Sequence, residues 1–380
     1  MGANESSKAM KYFSLFSGIG GFELGIQQAY DQHRTRKSAK KRSTHGRALS
    51  LSHVSNGNGR RASASCVGYS KIEKSAIKIY QEHFPEQKNY GDIRKIKTKE
   101  LPNFDLLIGG FPCQSFSIAG KRLGFKDTRG TLFFEIARII KQKRPRFLLL
   151  ENVKGLLSHN HGKTFAVILS TLYELGYDVE WQVLNSKNFG VPQNRERVFI
   201  VGHLRKERAT KIFPLAETNK ETNLSNTIRA GGRGSLTKKH TWDLVQLAGG
   251  SQGYRVYDPK GISTTLASQA GGVGAKTGLY AIPVLTPDRI NKRQNGRRAK
   301  GNNEPSFTLT AQDKHGIFDG ITIRRLTPIE CERLQGFLDN WTKFDDKGET
   351  LKDSPRYRML GNAVSVPVAS WIGRRIMEVE

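Results

Sequence analysis

A cysteine that follows a short apolar run is the residue of this chain with the clearest potential for covalent chemistry. The run from Phe104 to Ile108 predicts a buried strand, and Gly109 and Gly110 predict a turn where that strand leaves its sheet. Pro112 then fixes the backbone φ angle directly before Cys113. In open α/β sheets, ligands bind at the carboxyl ends of the strands. A lone cysteine is more often an inert buried side chain. Here the other motifs in the chain favour a nucleophile.

A second pattern predicts a nucleotide-type pocket near the N-terminus. Residues 11–17 predict a first strand, and Gly18, Gly20 and Gly21 then open a helix predicted to run through about Tyr30. A strand, a glycine turn and a helix N-terminus direct backbone N–H groups at a ligand. A plain tight turn between a strand and a helix is the alternative. The glycine spacing differs from the dinucleotide fingerprint, which disfavours a nicotinamide cofactor.

The remaining periodicity is typical of an α/β fold followed by a different kind of structure. Further strands are predicted to begin at Cys66, Phe147, Tyr177 and Val198, with helices over 72–84, 131–143 and 165–175. From about residue 204, glycine, threonine and serine replace this alternation. A helix is predicted over 323–337, and another begins near Tyr357. The change in composition predicts a second, smaller domain.

The charge and the cysteine content narrow the class of protein. Lysine and arginine number 62 against 34 acidic residues, a net charge of +28, which favours a polyanionic partner such as nucleic acid. The cysteines, Cys66, Cys113 and Cys331, are few and widely spaced, which argues against disulfides or a zinc site and for a reducing compartment. No apolar run reaches 18 residues and no signal peptide is evident, so we expect no membrane span, and the cysteine spacing leads us to expect no metal centre.

Six ordered motifs make the chain resemble the cytosine-5 DNA methyltransferases, especially those of the bacterial restriction–modification type. They are Phe16-Ser17-Gly18-Ile19-Gly20-Gly21, Gly91-Asp92-Ile93, Pro112-Cys113-Gln114, Glu151-Asn152-Val153, Gln193-Asn194-Arg195-Glu196-Arg197-Val198 and Gly361-Asn362-Ala363-Val364. One glycine-rich loop is weak evidence, whereas six blocks in the family's order, from near residue 12 to near residue 372, are strong evidence.

The resemblance implies a fold, a reaction and a division into domains. It implies a Rossmann-like α/β methyltransferase domain dependent on S-adenosylmethionine at 1–203 and a smaller, irregular α+β target-recognition domain at 204–350. Residues 351–380 would return to the catalytic domain. The expected reaction is site-specific methylation of carbon 5 of a cytosine in double-stranded DNA. Since a stacked base is inaccessible, the cytosine must be flipped out of the duplex.

The resemblance also implies catalytic roles for four residues. A thiolate of Cys113 would add to carbon 6 of the cytosine, which makes carbon 5 nucleophilic. Glu151 would hydrogen-bond or protonate ring nitrogen 3, where negative charge develops. Arg195 and Arg197 would favour the thiolate by their charge, and one of them would hold the cytosine carbonyl oxygen. Without Cys113 in the chain, a helix cap or an ion pair would be the simpler interpretation of Glu151.

A larger set of residues would bind the cofactor. They are Phe16, Gly18, Gly20, Gly21, Phe22, Glu73, Asp92, Ile93, Pro112, Leu132, Asn362 and Ala363. Asp92 would accept a hydrogen bond from the adenine amino group, while Ile93 would pack on the ring. The family places an acidic residue on the cofactor ribose after the second strand, where this chain has Lys71. Three explanations stay open: Glu73 reaches the ribose, cofactor affinity is reduced, or the local register shifts.

The DNA-contacting residues are expected on two segments. A predicted lid after Cys113 carries Gln114, Ser117, Lys121 and Arg122, and the predicted recognition domain carries Arg229, Arg233, Gln252, Arg255 and Gln269. Such side chains read base edges or contact phosphates. Residues 31–65 are rich in arginine and lysine and poor in apolar side chains. They predict a flexible insertion, with a supplementary clamp on DNA phosphates as the sharper hypothesis.

Two other functions remain open from the sequence alone. A tRNA cytosine-5 methyltransferase uses the same scaffold, and a catalytically silent DNA-binding relative would share the motifs. We expect the protein to be a monomer in the bacterial cytoplasm, associated with the nucleoid, with any cognate restriction endonuclease acting separately.

Overall fold

The computed structural model describes most of the chain in four long stretches and several short ones. The long stretches are 10–43, 64–112, 132–205 and 323–379, and the short ones are 212–213, 246–248, 256–257, 279–280, 282–285, 300, 304–311 and 314–318. In this described part of the chain, no helix is long and apolar enough to cross a membrane.

A six-stranded sheet forms the centre of the fold. Its strands are β1 (Lys11–Leu15), β2 (Ser65–Ser70), β3 (Leu106–Gly110), β4 (Phe147–Val153), β5 (Tyr177–Asn185) and β6 (Glu196–Leu204). The order across the sheet is β2-β1-β3-β4-β6-β5. The first four strands are parallel, and β6 runs antiparallel to both of its neighbours. The carboxyl ends of β1, β2, β3, β4 and β5 therefore lie at one edge.

Helices pack on both faces of this sheet and beside its carboxyl edge. They are α1 (Gly21–Ser43), α2 (Lys74–His83), α3 (Leu132–Lys143), α4 (Lys163–Glu174), α5 (Pro328–Gln335), α6 (Asp353–Asn362) and α7 (Val366–Val379). Side chains from α3 and α4 bury one face of the sheet with Leu107 and Leu148, while α1 and α7 bury the other face with Ile108 and Leu149. Burial on both faces explains why these strands are continuous apolar runs.

The C-terminal helices pack against the start of the chain. A third apolar cluster joins Ile19, which lies within the glycine turn, and Ile79 of α2 to Leu334 of α5 and Leu360 of α6. Trp341 Nε1 donates to the Ile19 carbonyl over 2.8 Å. Residues beyond about 326 are thereby attached to the glycine turn, which lies at the carboxyl edge of the sheet.

The region between 204 and 325 contains short strands. They are β7 (Gln246–Ala248), β8 (Val256–Tyr257), β9 (Leu279–Tyr280), β10 (Ile282–Leu285), β11 (His315–Phe318) and β12 (Ile323–Arg325). They form two sheets, ordered β7-β8-β9 and β10-β11-β12. The domain limits at 203 and 350 stay a prediction.

Two elements differ from their predicted limits. The helix α1 continues to Ser43 rather than ending near Tyr30, so the first part of the predicted insertion 31–65 is helical. Residues 31–43 contain neither glycine nor proline and are rich in good helix formers, so helix propensity prevails over the low apolar content. The predicted helix 323–337 is a strand followed by α5, because Thr327 caps that helix and Pro328 occupies its first turn.

A buried carboxyl group on α1 makes the stability of this fold depend on pH. Glu23 is fully buried and accepts a hydrogen bond from the Tyr80 hydroxyl over 3.0 Å. Burial raises the pKa of Glu23 from 4.5 to about 7. Below pH 4.5 this carboxyl is neutral in both the folded and the unfolded chain. As the pH rises from 4.5 to 7 the unfolded chain ionises first, so stability is lost, in total about 3 kcal/mol.

We expect Glu23→Gln to remove this pH dependence. The free energy of unfolding of the variant minus that of the parent chain should be about 2 kcal/mol larger at pH 8 than at pH 5, because the parent loses stability as Glu23 ionises and the amide does not ionise. Urea unfolding at the two pH values measures this difference. Glu82→Gln, at an exposed position on α2, is the control and should show none. An equal effect of Glu23→Gln at both pH values would contradict the assignment.

Candidate active site

The carboxyl ends of β3 and β4 bring a glutamate next to the chain that leads to Cys113. Gly110, the last residue of β3, lies beside Glu151 of β4 in the parallel register. A side chain at Gly110 would place its Cβ 3.0 Å from Glu151 Oε2, so any larger residue there would press against the carboxyl of Glu151. Two residues, Phe111 and Pro112, separate Gly110 from Cys113. The carboxyl of Glu151 thus lies directly beside the exit of β3.

Glu151 forms an ion pair that modifies its acidity. Arg197 of β6 places its Nε 3.1 Å from Glu151 Oε1, and both side chains are largely buried. Burial raises the pKa of Glu151 above its ordinary value, although Arg197 and Arg195 oppose the shift by favouring the carboxylate. A carboxyl with a raised pKa, held beside a guanidinium at the open edge of a sheet, is suited to donating a proton or a hydrogen bond.

Asn152 holds the segment between β3 and Cys113. Its side chain is buried, and Nδ2 donates to the Phe111 carbonyl over 2.8 Å while Oδ1 accepts from the Val153 N–H. Pro112 follows Phe111 and is exposed. The segment therefore leaves the sheet in a defined direction. Asn152 had no predicted role of its own, although its place in the motif Glu151-Asn152-Val153 was a signal for one.

Arg195 makes a different set of contacts from Arg197. Its buried guanidinium donates to the carbonyls of Leu309, Gly361 and Ala363 at 2.8, 3.2 and 2.7 Å. Gln193 adds two bonds of the same kind, since its Oε1 accepts from the Leu309 N–H and its Nε2 donates to the Leu334 carbonyl. These contacts connect the start of β6 with the segment 304–311 and with the C-terminal helices. They favour a positioning role for Arg195, and its predicted catalytic role stays a prediction.

The glycine turn between β1 and α1 has the features of a ligand cradle. Phe16 and Gly20 adopt positive φ angles of 54° and 86°, the first of which is uncommon for a residue with a side chain. A Cβ on Gly20 would lie 2.4 Å from the Phe84 ring. The buried Ser17 hydroxyl has no hydrogen-bond partner among the described residues, and the N-terminus of α1 begins at Gly21. An unpaired hydroxyl, a distorted turn and a helix N-terminus fit a small polar or charged ligand.

The acidic residues predicted to bind the cofactor are paired with cations. Asp92 accepts a bidentate contact from Arg94, with a shortest distance of 2.6 Å, and this hydrogen bonding lowers the pKa of Asp92. Glu73 lies between Lys71 and Arg358, with shortest distances of 3.6 and 2.8 Å. The structure thus brings Glu73 beside Lys71, the residue that departs from the family's pattern.

The other predicted cofactor residues occupy several environments near the same edge. Phe22 is buried next to Gly110, and Ile93 is buried in the apolar cluster beneath α3. Leu132 is half-buried at the start of α3. Asn362 is exposed. Ala363 is buried, and the next residue, Val364, lies against Gly21. Their contacts with a cofactor stay predictions.

Several predicted site residues lie outside the described residues. They are Cys113, Gln114, Ser117, Lys121, Arg122, Arg229, Arg233, Gln252, Arg255 and Gln269. Of the other cysteines, Cys331 is buried in α5 and Cys66 is partly buried in β2. Burial raises the pKa of both thiols, that of Cys66 to about 12, so neither is suited to act as a thiolate.

The sheet is mainly parallel and has helices on both faces. A glycine cradle lies at its carboxyl edge, where the paired carboxyl of Glu151 lies beside the exit of β3. These features are typical of a Rossmann-like methyltransferase. Residues 10–378 match the family model described as C-5 cytosine-specific DNA methylase. The chain belongs to this family and is a DNA (cytosine-5)-methyltransferase.

Relatives of similar length support this assignment. The chain is 41% identical to the type II methyltransferase M.NgoBV of Neisseria gonorrhoeae, with 97% of this chain and 99% of that protein covered. It is 36% identical to the type II methyltransferase M1.ScrFI of Lactococcus lactis subsp. cremoris, with 99% and 80% covered. The Dnmt2 methyltransferase of S. pombe has the same fold, with a TM-score of 0.53, 18% identity and 97% and 98% of the two chains covered.

Proposed function

We propose that the chain transfers the methyl group of S-adenosylmethionine to carbon 5 of a flipped-out cytosine in double-stranded DNA, with Cys113 as the nucleophile and Glu151 as the proton-donating carboxyl. The observation that carries this proposal is the pair of Glu151 and Arg197 at the carboxyl edge of the sheet, beside the exit of β3. That exit leads to Cys113, three positions further along the chain, and the other two cysteines, Cys66 and Cys331, are partly buried in β2 and buried in α5.

Five residues near the start of β6 and the end of β4 have separate roles in the proposed reaction. Asn152 directs the segment that precedes Cys113 by holding the Phe111 carbonyl. Glu151, with its raised pKa, donates a hydrogen bond or a proton to ring nitrogen 3 as the thiolate adds to carbon 6. Arg197 orients Glu151 and offers its remaining N–H groups to the cytosine carbonyl oxygen. Gln193 and Arg195 hold the start of β6, and with it Arg197, against the segment 304–311.

The glycine cradle is the proposed site of S-adenosylmethionine. The positive φ angles at Phe16 and Gly18, the unpaired Ser17 hydroxyl and the start of α1 support binding of its amino-acid part. Asp92 and Ile93 follow the neighbouring turn and would contact the adenine, and Glu73 or Lys71 would face the ribose. When bound, this cofactor supplies an electrophilic methyl group on a sulfonium.

The remaining features concern the DNA and the setting of the reaction. The net charge of +28 supports binding of the DNA backbone, and the region 204–350 is proposed to recognise the target sequence. A type II relative supports a role in restriction–modification, with a separate endonuclease for the same site. We propose a monomer that acts in the cytoplasm on nucleoid DNA.

Bisulfite sequencing of plasmid DNA from cells that express the chain tests this function. Protected cytosines should recur in one sequence context. A parallel assay of tritiated methyl transfer from S-adenosylmethionine to DNA and to tRNA separates the proposed substrate from its nearest alternative. Transfer to tRNA alone would overturn the choice of DNA, and binding of DNA without transfer would indicate a silent relative.

A further inference from the structure

Lys71 is held rigidly beside the glycine cradle. Ser70 pairs with Leu15 at the ends of the parallel strands β2 and β1, so Lys71 follows β2 where Phe16 follows β1. Asn89 fixes the backbone of Lys71 from both sides, because its Oδ1 accepts from the Lys71 N–H over 3.2 Å and its Nδ2 donates to the Lys71 carbonyl over 3.1 Å. The position of Lys71 at the carboxyl edge is therefore determined by the fold.

The turn that carries Lys71 is also attached to the turn predicted to hold the adenine. The Ser70 hydroxyl donates to the Gly91 carbonyl over 2.7 Å, and Asn89 Oδ1 accepts from the Gly91 N–H over 2.9 Å. Asp92 and Ile93 follow directly. Lys71 therefore lies between the glycine cradle and the adenine turn, which is where a nucleoside's ribose is recognised in related nucleotide folds.

Lys71, Glu73 and Arg358 together carry one net positive charge. Glu73 carries the negative charge of the group, and its two oxygens face Lys71 at 3.6 Å and Arg358 at 2.8 Å. The side chains of Lys71 and Glu73 are 18% and 28% exposed, so solvent screens them only partly. Burial lowers the pKa of Lys71 whereas Glu73 opposes that shift. Asp92, the next acidic residue along this edge, is neutralised by Arg94.

The sign of this charge affects the methyl donor and the product differently. S-adenosylmethionine carries a sulfonium, an ammonium and a carboxylate, for a net charge of +1. After methyl transfer the sulfur is a neutral thioether, so S-adenosylhomocysteine has no net charge. A positive group near the ribose repels the donor but not the product. An ammonium group donates hydrogen bonds to ribose hydroxyl oxygens in either case.

We propose that Lys71, with Glu73 and Arg358, forms a cationic rim on the ribose side of the donor pocket that weakens binding of the cationic donor relative to the neutral product. Lys71 thereby influences the ratio of the affinities for donor and product in this chain. This inference rests on the proposed binding of S-adenosylmethionine at the glycine cradle.

Calorimetric titration of the full chain with S-adenosylmethionine and with S-adenosylhomocysteine tests the rim. We expect Lys71→Glu to lower the dissociation constant of S-adenosylmethionine relative to that of S-adenosylhomocysteine by about tenfold at low salt. Lys71→Gln should lower the same ratio by about threefold. The shift should shrink at 0.5 M salt because screening shortens the range of the interaction. The uncharged Lys71→Gln variant keeps the test valid if reversal of the charge impairs folding.

Lys141→Glu is the matched control, since it makes the same change of charge at an exposed position near the end of α3, at the opposite edge of the sheet. Its ratio of dissociation constants should equal that of the parent chain. An unchanged ratio in both Lys71 variants would overturn the rim and leave the proposed cofactor intact. Failure of the parent chain to bind either ligand would instead overturn the cofactor assignment, and the rim with it.

Discussion

Cys113→Ser is expected to abolish methyl transfer while leaving the affinity for DNA unchanged. A serine hydroxyl is neither ionised near neutral pH nor as nucleophilic as a thiolate, so addition to carbon 6 of the cytosine should fail. Loss of a covalent nucleophile lowers kcat by at least about 10⁴-fold. Tritiated methyl transfer measures the activity, and a mobility-shift titration with the same DNA measures binding.

Cys66→Ser is the control for this substitution. Cys66 lies in β2, and its Sγ donates to the Gly68 carbonyl over 3.3 Å, a contact that a serine hydroxyl reproduces. Because burial raises the pKa of this thiol to about 12, it is not suited to be the nucleophile. Cys66→Ser should therefore retain activity. Turnover by Cys113→Ser, or its loss in Cys66→Ser alone, would refute the assignment of Cys113.

Glu151→Gln is expected to lower kcat by about 10²–10⁴-fold and to change the pH profile. Burial raises the pKa of Glu151, so its protonated form persists to higher pH than that of an exposed glutamate. If the protonated carboxyl serves ring nitrogen 3, the rate of the parent chain falls as the pH rises through this raised pKa. The amide does not ionise, so the variant should lack that limb. Rates between pH 5 and 9 with a saturating donor measure both effects.

Glu196→Gln serves as the matched control at the start of the adjacent strand. Glu196 is more exposed and pairs with Lys154 over 2.9 Å, so it has a similar partner but no place beside the exit of β3. Its kcat should stay within about threefold of that of the parent chain, since exposed ion pairs contribute little. A pH limb that persists unchanged in Glu151→Gln would assign that limb to another group.

The strands of the sheet were largely predictable because each is marked by a short apolar run in the local sequence. Apolar runs such as Phe104–Ile108 and Phe147–Leu150 predict strands that are buried on both faces, and in the structure β3 begins at Leu106 within the first run while β4 contains all of the second. The end of α1 was less predictable. A charged helix without glycine or proline resembles a solvated loop in composition, and only helix propensity distinguishes the two.

The partners of the site residues depended on contacts that are distant in sequence. Arg195 and Arg197 are two positions apart, and the sequence predicts the same role for both. In the structure Arg197 contacts Glu151, whereas Arg195 donates to Leu309, 114 residues away. Local spacing carries no information about such partners. The same holds for Glu73, whose ion pair with Arg358 of α6 required the C-terminal helices to fold back onto the start of the chain.

The amino-acid sequence by itself determined the family and the order of the motifs, since these follow from residue type and position along the chain, and it predicts which groups react. The tertiary structure decided which arginine meets the carboxyl, how Asn152 directs the segment before Cys113, and which charges surround Lys71. Those outcomes depend on the packing of elements remote from one another, and a side chain's acidity and partners are set by that packing.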